Sequence, residues 1–327
     1  MDSGQWTVNS GQWTVKRFQN KIAESRRTLP ITILYGVGIW LLAGVIPQGW
    51  WFQFLCFFAS VYAMIYLNNI NLLIRIYSRS VSVFYILLAC AATWMFSSIL
   101  GAVQVLCMTL GLLLLFSCYQ DQSCVGRTFY LYLLISIVSL LAPHFLLVVP
   151  IFLLLMATTI YSLSIRTFLA ALVGLITPYW LYTGWQLYIY RYQPEMAFDY
   201  LRRFTEVQWG TDYTVVSIQQ WAYLALLMVL FVVGTIHFWM TSYMDKIRVR
   251  QIYNSFIILT IYLAVLMALQ PQQYNTFINM LTITVSPIVA HFFTLTNSKW
   301  SNLFYIVTMT VILFLTGMNL WISSSAF

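Results

Sequence analysis

The sequence predicts an all-α fold, a polytopic transmembrane bundle of about eleven helices with a cytoplasmic N-terminus and an external C-terminus. Three observations carry that expectation. First, 61% of the 327 residues are apolar and only 7% are charged, against about 25% charged in soluble domains. No single core hides so much apolar side chain, whereas lipid solvates the outer faces of helices. Second, the long apolar runs lack an alternation of period two, which argues against a transmembrane barrel. Third, the charges sit between the runs, and Lys and Arg occupy every other short loop.

In chain order, residues 1–29 read as a cytoplasmic tail. It opens with a tandem duplication, Asp2–Val8 followed by Asn9–Val15, too brief for a structural repeat and expected to be flexible. The stretch Phe18 to Leu29 carries Lys21, Arg26 and Arg27 beside Phe18 and Ile22, and suits an anionic headgroup layer, where each Lys or Arg contributes about 1 kcal/mol. The first apolar run begins near Thr32 with no cleavage-site pattern behind it, so no cleavable signal peptide is expected.

Residues 30–189 hold seven expected spans: 31–46, 50–69, 80–100, 102–119, 128–142, 145–162 and 167–189. Residues 218–327 hold four more: 218–242, 251–270, 275–296 and 301–322. Each has roughly the 17–25 apolar residues that a crossing needs. One set of loops carries Lys16 to Arg27, Arg75 and Arg79, Arg127, Arg166, Lys246 with Arg248 and Arg250, and Lys299. The alternate loops at Pro47-Gln48, Gly101, Ala142-Pro143-His144 and Pro271–Gln273 carry no Lys or Arg. Lys and Arg gather on the cytoplasmic side of short loops, which fixes the orientation and requires an odd span count. That pattern also accounts for the net charge of +8 without nucleic acid, and no nucleic-acid partner is expected.

The external loop 190–217 differs in being long and charged. Between Pro194 and Gly210, Glu195, Asp199, Arg202, Arg203 and Glu206 recur at helical spacing, with Ala197, Phe198, Leu201 and Phe204 on the other side. This predicts an amphipathic surface helix over about 195–208, braced by the i, i+4 pairs Asp199–Arg203 and Arg202–Glu206. Asp199, Arg202, Arg203 and Asp212 are the candidate site residues if the chain is an enzyme. Arginine binds phosphate through bidentate bonds, and a carboxylate serves as general base. The plainer reading, a solvated face above a lipid-anchored one, is preferred at this stage, and under it Arg203→Ala is silent.

Elsewhere chemistry is sparse. No Asp, Glu, Lys or Arg falls well inside an expected span, which argues against a carboxylate relay or a charged selectivity ring. His144 sits at an outer turn. His237 and His291 lie toward the cytoplasmic ends of spans eight and ten, and share a polar pocket if those spans are neighbours. With no carboxylate or cysteine beside them they make a poor metal site. Cys56, Cys90, Cys107, Cys118 and Cys124 read as small apolar filler. No metal, cofactor or disulfide is expected. Pro150, Pro178 and Pro287 each remove a backbone donor within a span.

The motifs Gly126-Arg127-Thr-Phe129, Ser139-Leu-Leu-Ala-Pro143 and Arg166-Thr-Phe168 with Gly174-Leu-Ile-Thr-Pro-Tyr179 resemble those of an uncharacterised family of multi-pass inner-membrane proteins of Bacteroidota, over about residues 60–320. The resemblance implies a bacterial inner membrane and carries no activity. Two functions fit the sequence. One is a structural or partner-binding component of envelope biogenesis, with tight packing and no outward cavity. The other is an enzyme or flippase-like protein acting on a polyprenyl-phosphate-linked precursor, which requires a groove beneath the external loop. The partners expected are membrane lipids, together with a lipid-linked precursor or other membrane proteins.

Overall fold

The computed structural model describes residues 6–9, 12–15, 17–191, 198, 200 and 212–325. Apart from one N-terminal hairpin, the described secondary structure is helical. The hairpin pairs β1 (Trp6–Asn9) with β2 (Gln12–Val15) antiparallel, Trp6 opposite Val15 and Asn9 opposite Gln12. The duplicated heptapeptide is therefore paired with itself rather than a featureless tail, as its repeated Trp-Thr-Val, rich in strand-favouring residues, allows.

The helices are α1 (Phe18–Glu24), α2 (Thr28–Leu42), α3 (Val45–Gln48), α4 (Trp51–Asn71), α5 (Ser80–Ala91), α6 (Ile99–Ser117) and α7 (Val125–Leu141). They continue with α8 (Val148–Thr158), α9 (Ile165–Ile189), α10 (Ile218–Thr241), α11 (Ile247–Leu269), α12 (Tyr274–Leu295) and α13 (Lys299–Ser325). Seven of these segments, α4, α6 and α9 to α13, are long and apolar enough to cross a membrane. Four shorter apolar helices, α2, α5, α7 and α8 with the 3-10 turn before it, occupy the remaining expected runs.

The helix α5 departs most from the expected span 80–100. It stops at Ala91, Thr93–Met95 form a 3-10 turn, and Ser98 starts α6 by accepting a hydrogen bond from the Gly101 amide at 3.0 Å. Twelve residues at about 1.5 Å each rise about 18 Å, short of the roughly 30 Å hydrocarbon layer. The helix tolerates this because it is enclosed by protein: nearly every residue from Ser80 to Ala91 is buried, against α2, α4, α12 and α13.

At the centre stands α12, with 83% of its apolar window buried and α5, α6, α10 and α11 packed round it. Its Pro287 leaves the Ile283 carbonyl without the usual amide, and the Ser286 hydroxyl donates to that carbonyl at 3.1 Å. Pro178 also lies inside its helix. Pro150, by contrast, falls in the first turn of α8, where an amide has no intrahelical partner to lose, so it breaks nothing.

A second close seam joins α7 to α9. A Cβ on Gly174 would lie 2.6 Å from the Phe129 carbonyl oxygen. Ser136 donates to the Leu175 carbonyl at 2.6 Å, and Ser139 and Tyr179 share a hydrogen bond of 2.6 Å. The motif residues Phe129, Ser139, Gly174 and Tyr179 thus meet along one helix–helix contact.

The basic loops gather at one end of the bundle. Gln19 in α1 donates to the Thr296 carbonyl at 2.6 Å and the Ser301 hydroxyl at 2.9 Å, and Ser78 donates to the Ala23 carbonyl at 2.8 Å. Arg248 reaches Asn71, Arg127 reaches the Ser117 carbonyl, and Ser164 donates to the Gln122 carbonyl. The segment expected to rest on headgroups is therefore also docked on protein, with Phe18 and Lys21 left exposed.

Candidate functional site

Two places hold the polar chemistry. The first lies where the external loop returns to the bundle. Ser217 caps α10 in a reciprocal box with Gln220, whose side-chain amide also donates to Asn275 at 3.2 Å. Tyr274 donates to the Gln220 carbonyl at 2.6 Å, and Tyr213 donates to the Ala268 carbonyl at 2.8 Å. These bonds stretch residues 212–217 across the ends of α10 and α11. Beneath them runs a groove of about 320 Å³, within the range of about 300–1,000 Å³ of ligand sites. Its walls include Tyr213, Trp221, Leu224, Met228, Ala264 and Ala268. Ala264 and Ala268 make the room, and Tyr213 and Trp221 supply broad apolar rings at the mouth.

Among the candidate site residues, Asp199, Arg202 and Arg203 lie outside the described residues, as does most of the expected surface helix at 195–208. Within that stretch Tyr200 is described: it shares a hydrogen bond with Thr183 and packs edge-on against Tyr182, 4.9 Å between ring centroids. Asp212 caps its own turn, accepting from the Thr214 amide at 3.0 Å and hydroxyl at 2.6 Å. Those two bonds, the hydroxyl first, hold its carboxyl below the ordinary aspartate range. It is not among the groove walls.

The second place is the pair Asp245–His291, at the basic end. The turn between α10 and α11 carries Asp245 inward, and its carboxylate lies 3.0 Å from His291 Nε2, both side chains almost wholly buried. His237 faces them from α10, its ring centroid 5.8 Å from that of His291, and Tyr253 of α11 packs at 4.8 Å. The two histidines are neighbours, as the sequence allows, but the expectation that no carboxylate stands near them is wrong. Asp245 sits in a loop read for its Lys and Arg, and folds back under α12. A signal existed: Asp245 is the one acidic residue after Asp212. With 0% and 2% side-chain exposure, the pair is closed to any ligand and ties the α10–α11 turn to the central helix. His144 is held apart, in the 3-10 turn Pro143–Leu147.

Among the described residues no three His, Cys, Asp or Glu side chains converge as metal ligands, and all five cysteines are free.

The chain matches no family model, no curated protein and no solved structure.

Proposed function

We propose that this chain is an eleven-span protein of a bacterial inner membrane, N-terminus cytoplasmic and C-terminus external, that serves envelope biogenesis by holding the hydrocarbon chain of a polyprenyl-phosphate-linked precursor. The observation behind the binding step is the groove between α10 and α11. It lies under the returning end of the external loop, where a lipid substrate needs it and where a purely supporting protein would be packed tight. Its apolar walls suit a prenyl or acyl chain. The headgroup chemistry then belongs to the external loop, whose sequence supplies Asp199, Arg202 and Arg203, the arginines being suited to phosphate.

The topology rests on the eleven apolar helices, one for each expected run, and on the shared end of the basic loops, which the positive-inside rule assigns to the cytoplasm. Among the shorter helices, α5 is extended by the 3-10 turn Thr93–Met95 and α8 by the turn Pro143–Leu147.

A second reading, a structural or partner-binding component, draws on the groove's chemistry. Its walls carry no charged side chain, and Asp212 is occupied by its own turn. An apolar helix of another membrane protein would fit such walls.

Ala264→Trp, which fills the groove, tests the proposal. Purified wild-type protein should carry a polyprenyl-phosphate lipid that mass spectrometry detects, and the filled variant should lose it at equal abundance. Equal lipid in both preparations, or none in the wild type, would remove the basis for the proposal.

A further inference from the structure

A small cavity lies at the end of the bundle opposite the basic loops, where α5 gives way to α6. It measures about 50 Å³, and Trp40 of α2, Gln53 of α4, Tyr85 of α5, Gly101 of α6 and Asn279 of α12 stand in its wall. The break beside it is braced from three helices. Tyr223 donates to the Leu88 carbonyl at 2.9 Å, Asn319 to the Ala91 carbonyl at 2.7 Å and Gln53 to the Ser97 carbonyl at 3.2 Å. Irregular backbone persists at membrane depth where protein encloses it or where it lines a water-filled space.

The cavity wall carries more hydrogen-bonding capacity than the protein satisfies. Gln53 uses its Nε2 on Ser97, and its Oε1 has no partner among the described residues. The half-buried Asn279 amide has none there either. Trp40 is 2% exposed, and its Nε1 is buried without an acceptor. Gly101 lets the Asn279 amide come this close to α6, since a Cβ on Gly101 would lie 3.2 Å from Asn279 Nδ2. No charged side chain stands in the wall, so the site offers an ion no counter-charge. Hydrocarbon there would leave both amides unpaired, and a buried polar group without a hydrogen bond is costly.

We infer that this cavity is a binding site for a small cluster of ordered water molecules, held by the Asn279 amide, Gln53 Oε1 and the Trp40 indole N–H. Its volume admits about three to five waters at about 10–15 Å³ each, too little for an acyl chain or a sugar. Water is uncharged and both donates and accepts, so it answers an indole donor, a carbonyl acceptor and an amide that is both. A buried water ordinarily makes about three hydrogen bonds, and these groups supply them from three different helices. The cluster thereby joins α2, α4 and α12 beside the break between α5 and α6. The site is separate from the groove between α10 and α11 and does not depend on the function proposed for that groove.

X-ray hydroxyl-radical footprinting of the full chain in detergent tests the site, because radiolysis of bound water oxidises the side chains that touch it. Trp40 and Tyr85 are 2% and 1% exposed, yet both should be oxidised. Met280, buried on α12 and absent from the cavity wall, should stay unmodified despite its more reactive sulfur. Ala102→Leu places a larger side chain in the wall and should abolish the oxidation of Trp40 and Tyr85. Asn279→Leu keeps the side-chain volume, removes the amide and should protect both residues even if Ala102→Leu disturbs the fold. Trp40 and Tyr85 as unreactive as Met280 in the wild type, or undiminished oxidation in Asn279→Leu, would overturn the inference.

Discussion

Gly174→Ala tests the α7–α9 seam with a control on the same helix. The new Cβ would stand 2.6 Å from the Phe129 carbonyl oxygen, 3.2 Å from the Leu133 amide nitrogen and 3.3 Å from the Tyr132 Cβ. Contacts below 3.0 Å are not tolerated, so α9 must back away by at least 3.0 − 2.6 = 0.4 Å. The obstacle is backbone, which no rotamer change relieves. Backing away also stretches the Ser136–Leu175 and Ser139–Tyr179 hydrogen bonds that flank the contact. Overpacking of this kind costs about 1–3 kcal/mol. Replacing a helical glycine by alanine returns up to about 1 kcal/mol of helix propensity. Gly184 lies on the same helix with nothing within 4 Å of its would-be Cβ, so Gly184→Ala collects the propensity term alone. The difference between the variants is then the overpacking cost, about 1–3 kcal/mol. Unfolding in mixed micelles, followed by tryptophan fluorescence, measures it. Gly174→Ala should unfold at lower denaturant than Gly184→Ala, and coincident midpoints would refute the seam.

Asp245→Ala and His291→Ala should each cost about 3–5 kcal/mol, because either leaves a buried polar partner alone, and the double variant should cost less than their sum; additive losses in the same unfolding assay would mean that the pair is not coupled. Reporter fusions after Arg79 and Arg250 should read cytoplasmic and fusions after Gln273 and Phe327 external, with a cytoplasmic C-terminus contradicting the eleven-span proposal. If the external loop binds the headgroup, Arg203→Ala should abolish function at wild-type abundance; a silent Arg203→Ala would favour the plainer reading of a solvated face, where an exposed ion pair contributes about 0–1 kcal/mol.

Much of the architecture is written in hydropathy and loop charge. All eleven apolar runs carry an apolar helix, seven of them long enough to cross a membrane, because a helix satisfies its backbone within itself. What hydropathy does not carry is where a helix stops when protein rather than lipid surrounds it. The stretch from Ser80 to Leu100 reads as one run, yet Ala92 breaks it, and the signal was the capping Ser98 before Gly101. The polar sites were less legible. Asp245 looks like a solvated loop residue until α12 is placed beside it, since its partner lies 46 residues away. Motif residues from Phe129 to Tyr179 stood out in sequence, but that they form a packing seam follows from Gly174 lying against backbone. The groove is built by residues of α10, α11, the start of α12 and the turns beside them, from Tyr213 to Tyr274, and no local pattern records an empty space.

The most direct test of lipid binding places a photoreactive amino acid in the groove. With p-benzoylphenylalanine replacing Leu224 and irradiation in intact membranes, the adduct can be identified by mass spectrometry. The proposal predicts an adduct bearing a polyprenyl phosphate, lost when Ala264→Trp fills the groove. An adduct to another membrane protein, or no lipid adduct at all, would contradict it.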